Sequence, residues 1–445
     1  LSSKKKKRTS SSSTPQAPRR EPDNGTAKED PARRSRARGV HKPPKGQFRT
    51  FAILGVVIIG LVIAGRASHE VAKRIKSSNL DDSLTTTEVK LEEHAEPEWP
   101  VLTFEEIQAQ RRIINVHEHI QNLELASIHL SVMDELGIRK ICLMGSSWFT
   151  ITLDEKYGFT RYDENNEELL KIAQTYPGRF EAWTCVNPLD SGKFDKFKDL
   201  VSRGATGLKL YVGHGYVTKA GEYMFHTCAM DDPGMLPLYA YCEENYIPVC
   251  IHVNPYEGKK GFAEELIAVL TQFPNMKVDV PHFMLSSIQS DRLREYLDTF
   301  PNVYTDISFG DYYVAAGLKR ISKSPTKFKR LFADYPDRIM YATDLVLTEG
   351  RRKTREWVHD QFRAYLDMLT QETYTTPAVP GQTLNGLALP DYLLNRVLYK
   401  NYEDFVAKRP RDTKITRKID WARMNVAPTG RKPGQTFPPS TNTKE

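Results

Sequence analysis

Residues 111–120 read RRIINVHEHI, a short strand-like run, Ile113–Val116, followed at once by His117 and His119. In an extended strand, residues i and i+2 point to one face. Both imidazoles therefore leave the C-terminal end of the run on the same side, where two histidines can chelate one divalent cation. An isolated HxH pair arises often by packing alone. Its weight depends on whether other runs end in the same way.

They do. Seven further strand-like runs follow: Lys140–Met144, Phe180–Val186, Gly207–Tyr211, Pro248–His252, Lys277–Val280, Val303–Asp306 and Ile339–Ala342. His252 closes PVCIH, His282 closes VDVPH, Asp344 closes IMYATD, and Lys209 lies inside GLKLY. Amphipathic segments separate the runs. Leu125, Ile128, Val132 and Leu136 recur at helical spacing up to Gly137, and Asp291–Thr299 carries Leu293, Tyr296 and Leu297 on one face with Ser290 as its cap. Eight such units in about 270 residues match a (β/α)8 TIM barrel, whose reactive residues gather at the C-terminal ends of the strands. A doubly wound open sheet is the structural rival, but it calls for a Gly-rich phosphate loop after its first strand, and HEHIQN is not one. Two connections are long, 146–166 and 212–234, as expected of loops that build a pocket. Residues 391–405 read as a closing helix.

The order HxH, Lys, His, His, Asp on strands one, four, five, six and eight resembles the amidohydrolase superfamily, and within it the amidohydrolase-related branch of lactonases and non-oxidative decarboxylases. The likeness spans roughly residues 111–407. Asp232-Pro233 through Leu238-Tyr239 to Pro248 and His252 is similar to that branch's entry into strand five, and Val397-Leu398-Tyr399-Lys400-Asn401 to its closing helix. One position departs: the family usually has Asp two residues before the first His, and here stands Asn115. A carboxylate there orients ligands, whereas Asn is neutral, so the departure bears on metal affinity and not on the fold.

The resemblance implies a metal-dependent enzyme. His117, His119 and His252 are neutral nitrogen ligands suited to Zn or a similar divalent ion. Asp344 is expected to ligate and to accept the proton of a water whose pKa the metal lowers. His282 has three open roles: polarising a carbonyl, donating a proton, or holding a second metal. Lys209 decides the metal count. Some members of the superfamily carboxylate this lysine to bridge two ions, and in the related branch it stays an amine that meets substrate. One ion and an unmodified Lys209 are expected. Trp148, Tyr211, His214, His226, Asp306 and the pair Arg351–Arg352 are secondary candidates near strand ends or lids.

Charge and hydropathy place the rest. Residues 1–50 hold 15 Lys/Arg against 4 Asp/Glu, residues 408–445 hold 10 against 3, and residues 51–407 are left at −11 within a chain total of +7. Basic tails on an acidic body point to anionic lipid, not to a nucleic-acid enzyme. Phe51–Gly65, FAILGVVIIGLVIAG, is uncharged. It is short for a hydrocarbon core of about 30 Å, but snorkelling of Arg49 and Arg66 extends it to roughly twenty residues. The basic region before it is too long for a cleaved signal peptide. The chain is thus expected to divide into a basic tail (1–49), a single-pass anchor (50–67), a polar linker (68–100), the barrel (101–407) and a basic Pro-rich arm (408–445). The basic tail favours a cytoplasm-like side for the N-terminus, with the barrel in the periplasm or the intermembrane space. Five scattered cysteines, Cys142, Cys185, Cys228, Cys242 and Cys250, form no disulfide framework or short metal spacing and leave the compartment open.

The expected function is a membrane-anchored hydrolase of a small-molecule ester, lactone or amide. Non-oxidative decarboxylation is the rival on the same fold. A structural subunit of a membrane complex, meeting lipid and other subunits through its basic tails, is the alternative of another class.

Overall fold

The computed structural model describes residues 99–152, 159–212, 215–217, 223–225, 228–253, 262–284, 290–349, 353–408, 414–415 and 417–424. The expected basic tail and anchor lie outside them, as do all but residues 99–100 of the linker and most of the C-terminal arm. Among the described residues, no helix is long and apolar enough to cross a membrane.

Nine strands form one parallel sheet: β1 (Ile113–Ile120), β2 (Ile138–Met144), β3 (Phe180–Cys185), β4 (Gly207–Tyr211), β5 (Val249–His252), β6 (Val278–Asp279), β7 (Val303–Asp306), β8 (Ile339–Met340) and β9 (Val346–Leu347). Their order is β8-β7-β6-β5-β4-β3-β2-β1-β9. The last two pieces are one broken eighth strand, and the break closes the barrel. β8 pairs with β7, β9 pairs with β1, and between them the Val116 amide donates to the Tyr341 carbonyl at 3.0 Å and the Asp344 amide to the His117 carbonyl at 2.8 Å. The expected run Ile339–Ala342 thus ends early and resumes past Asp344.

All eight residues of β1 are buried, as in a parallel barrel strand covered on both faces. Helices fill the outer layer where the hydrophobic spacing placed them. Ala126–Leu136 ends at Gly137, whose φ of 71° supplies the left-handed cap. Ser290–Thr299 and the closing stretch Asp391–Val406 follow the expected limits closely, the latter with a π turn at Arg396–Lys400. In the long connection after β4, Gly215–Val217 and Tyr223–Phe225 pair as an antiparallel hairpin.

Part of the expected arm lies on the barrel. Arg417 and Arg423 both pair with Glu295 and Asp298, and the Asp420 amide donates to Glu295 at 2.7 Å. Those contacts compensate a glutamate whose side chain is fully buried.

Candidate metal centre

β1 delivers its histidines through an irregularity. Asn115 pairs with Ile141 and Glu118 with Leu143, so β1 advances one residue more than β2 over this interval. A bulge of this kind re-aims side chains and is common beside active sites. His117 lies within it and His119 just past it, and both rings turn toward Asp344.

Their hydrogen bonds settle which nitrogen is free. Nδ1 of His117 lies 2.8 Å from Oδ2 of Asp306. Nδ1 of His119 lies 2.9 Å from the Met144 carbonyl and 2.7 Å from Oγ of Ser146. The proton order there is self-consistent: Tyr211 donates to the Gly145 carbonyl at 3.0 Å, Ser146 donates to Tyr211 at 2.6 Å, and Ser146 accepts from His119. Both Nδ1 protons are thereby committed, and each Nε2 carries a lone pair.

These two Nε2 atoms converge on one oxygen. Oδ1 of Asp344 is 3.2 Å from His117 and 3.0 Å from His119. Lone pairs facing a carboxylate repel unless a cation or proton lies between them. Donors about 2.1 Å from a tetrahedral zinc-like ion lie about 3.4 Å apart, close to the observed spacing. The group His117, His119 and Asp344 therefore fits a divalent ion.

Two further donor groups come within 4.8 Å, His117–His282–Asp306 and His117–Cys250–Asp279. In the first, the His117–Asp306 hydrogen bond already joins the donors. In the second, Sγ of Cys250 takes a contact from Lys209 at 3.3 Å. Lys209 and Cys250 are register partners across β4 and β5, which sets that contact, and Nζ of Lys209 also reaches Nε2 of His117 at 3.1 Å. Lys209 is fully buried, so it is not a solvated surface lysine.

His282 follows β6 in a left-handed turn: His282, Phe283 and Met284 have φ of 63°, 50° and 57°. Such a turn is costly for residues with a Cβ. β7 holds it in place. Oδ1 of Asp306 accepts the His282 amide at 2.9 Å, and Oγ1 of Thr305 accepts the Met284 amide at 3.1 Å. The ring then reaches Oγ of Ser308 through Nδ1 at 2.7 Å and stacks on His117 with centroids 5.4 Å apart. Its Nε2 is 3.2 Å from Nδ1 of His252 and 3.6 Å from Oδ2 of Asp344. His252 meets the cluster through His282, one step from the His117–His119–Asp344 group, and its ring stacks on Tyr211.

Electrostatics follow from this packing. Burial, then the charge of Lys209, push the His117 imidazole down to about 4, although Asp344 and Asp306 act the other way. Burial would raise the Asp344 carboxyl, but the imidazoles of His117, then of His119 and His282, set against it hold it well below the carboxylate range. For Asp306 burial likewise opposes the hydrogen bond from His117, joined by the His282 amide, and the hydrogen bonds win. Asp344 and Asp306 are both carboxylates at neutral pH.

Of the secondary candidates, Asp306 and Tyr211 join the cluster directly. Trp148 stands apart, under the Arg161 guanidinium at 3.7 Å. His214, His226, Arg351 and Arg352 lie outside the described residues. Sequence reasoning missed Glu118, Ser146, Ser308 and Gly310. Only Glu118 had a visible signal, a charged residue in a strand end that is otherwise apolar or metal-binding.

A family model described as amidohydrolase matches residues 153–405. Among solved structures, an uncharacterized TIM-barrel protein from Bordetella bronchiseptica aligns with a TM-score of 0.41 and 16% identity, covering 66% of this chain and 98% of that one. The 5-carboxyvanillate decarboxylase from Sphingomonas paucimobilis gives 0.38 and 13%, covering 66% and 99%. The dihydroorotase from Campylobacter jejuni gives 0.39 and 13%, covering 67% and 84%. Comparison with curated proteins gives no match.

Proposed function

For a chain that belongs to the amidohydrolase family, we propose a membrane-anchored hydrolase that cleaves a small-molecule ester, lactone or amide with the help of one zinc-like ion. The observation that carries this reading is the convergence of two lone-pair Nε2 atoms on Oδ1 of Asp344 at 3.2 and 3.0 Å.

A divalent ion held there supplies Lewis acidity and brings the pKa of a bound water toward neutrality. The chain's own residues do the rest. Asp344 is ionised and partly open, its side chain 17% exposed, so it can take a proton on the mouth side. His282 is held by Asp306 and Ser308 with Nε2 toward Asp344, in place to hand a proton to a leaving group. Lys209 is read as an unmodified amine whose Nζ lies 3.1 Å from Nε2 of His117, at the edge of the ion site. Membrane anchoring rests on the apolar run 51–65 between a basic tail and a polar linker.

The purified full chain, loaded with zinc and given panels of lactones, esters, amides and aryl acids, tests the reading. Turnover of a lactone, ester or amide is expected, abolished by a chelator and by His117→Ala. Carbon dioxide release from aryl acids without any hydrolysis would replace the hydrolase with the decarboxylase. A fully metallated protein inert on every panel would sink both and favour the assembly subunit.

A further inference from the structure

Between the two histidines stands a residue that the chemistry above does not use. Glu118 lies on the helix-facing side of β1, fully buried. Burial pushes its carboxyl well above the usual carboxylate range, against the hydrogen bonds from Thr343 and Asn115, and a buried carboxyl group persists only where its oxygens are answered; the partners here are specific. Oε1 accepts from Nδ2 of Asn115 at 2.9 Å and from the Thr343 hydroxyl, and Oε2 accepts the Leu345 amide at 3.2 Å. Thr343 and Leu345 are the two neighbours of Asp344.

Asp344 needs such help. It sits in the break of the eighth strand with a φ of 57°, a conformation that costs a residue with a Cβ. Its own amide is bonded to the His117 carbonyl at 2.8 Å. The amide after it takes a side-chain carboxyl oxygen as acceptor, and that oxygen comes from the residue between the histidines.

Asn115 completes the arrangement. Its Nδ2 also reaches Oγ1 of Thr343 at 3.2 Å, and its Oδ1 accepts the His117 amide at 3.2 Å. A carboxylate at 115 would offer no donor to Glu118 and would set two acidic groups together in a buried space. The departure at 115 is then the counterpart of a glutamate at 118.

We infer that Glu118 is a positioning residue that presents Asp344 to His117 and His119, with Asn115 as its matched donor. The inference rests on the metal-centre reading for its effect on affinity, but not for its effect on the backbone.

Two readouts test it in the full-length protein: titration with Co2+ alone, followed by its visible spectrum, and hydrogen exchange of the Leu345 amide in metal-free protein. Glu118→Leu is expected to weaken Co2+ binding by about 10- to 100-fold, alter the spectrum, and speed Leu345 exchange. Should that variant fail to fold, the donor swap decides. Asn115→Asp alone weakens binding, and adding Glu118→Gln, which returns a donor to the pair, recovers much of the loss. Folded Glu118→Leu with native affinity and native Leu345 exchange overturns the inference, as does a double variant no better than Asn115→Asp. Wild-type protein that binds no Co2+ overturns the metal centre instead, and Leu345 exchange then judges Glu118 by itself.

Discussion

Asp306 bonds to His117 Nδ1 across 2.8 Å, and with its other oxygen it takes the amide of His282 at 2.9 Å. One carboxylate on β7 thus sets the tautomer of a residue on β1 and the backbone of a residue after β6. Asp306→Ala is expected to lower divalent-ion affinity by about 10- to 100-fold, as for other groups that orient metal-binding histidines. Isothermal titration with zinc against a competing chelator reads the change. Native affinity in a folded variant would remove Asp306 from the site.

Lys209 separates one ion from two. Metal analysis of the wild-type protein is expected to give one equivalent per chain, with an intact mass that carries no carbamate. Lys209→Met should keep that equivalent and lose turnover. Two equivalents in the wild type, falling on substitution, would mean a bridging carboxylated lysine.

Gly310 opens the space beside Asp344. Its φ is 70°, and a Cβ there would lie 2.9 Å from Oδ2 of Asp344. Gly310→Ala is expected to cost about 1–3 kcal/mol through backbone strain alone, and to weaken metal binding by crowding the ligand. Urea midpoints of metal-free protein isolate the first effect, and zinc titration reads the second.

His129 makes stability depend on pH. It is fully buried behind β1, stacked on Phe362 with centroids 5.9 Å apart, and neither ring nitrogen has a hydrogen-bond partner. Burial pushes its pKa down to about 3 from 6.5. The unfolded chain therefore binds a proton at pH values where the native state does not. Between those two values stability rises with pH, and it falls on acidification by about 1.4 kcal/mol per pH unit well below 6.5. From pH 7.5 to 5.5 the wild type should lose about 1.4 kcal/mol more than His129→Leu in urea unfolding. Parallel losses in the two proteins would show that His129 is not the group responsible.

The barrel was largely legible because its strands are apolar runs bounded by polar turns. Gly207–Tyr211 and Val303–Asp306 coincide with the observed strands. The sixth and eighth strands were harder. β6 is two residues long, and the left-handed turn that carries His282 is stabilised by Asp306 and Thr305, more than twenty residues away. Likewise the break around Asp344 is stabilised by Glu118, over two hundred residues earlier. Local propensity holds no record of either contact.

The sequence by itself determined the alternation of strand and helix, the family, and the strand ends at which His117, His119, His252, His282 and Asp344 stand, because periodicity and strand-end position are local properties. Only the tertiary structure decided how those residues divide the work. Which nitrogen of each histidine is free depends on Asp306, Met144 and Ser146. The grip of Glu118 on both sides of Asp344 joins β1, at a one-residue bulge, to the break in the eighth strand. Hydrogen-bond partners and bulges are settled by distant segments packed against the strand, and a linear pattern of residue types does not encode them.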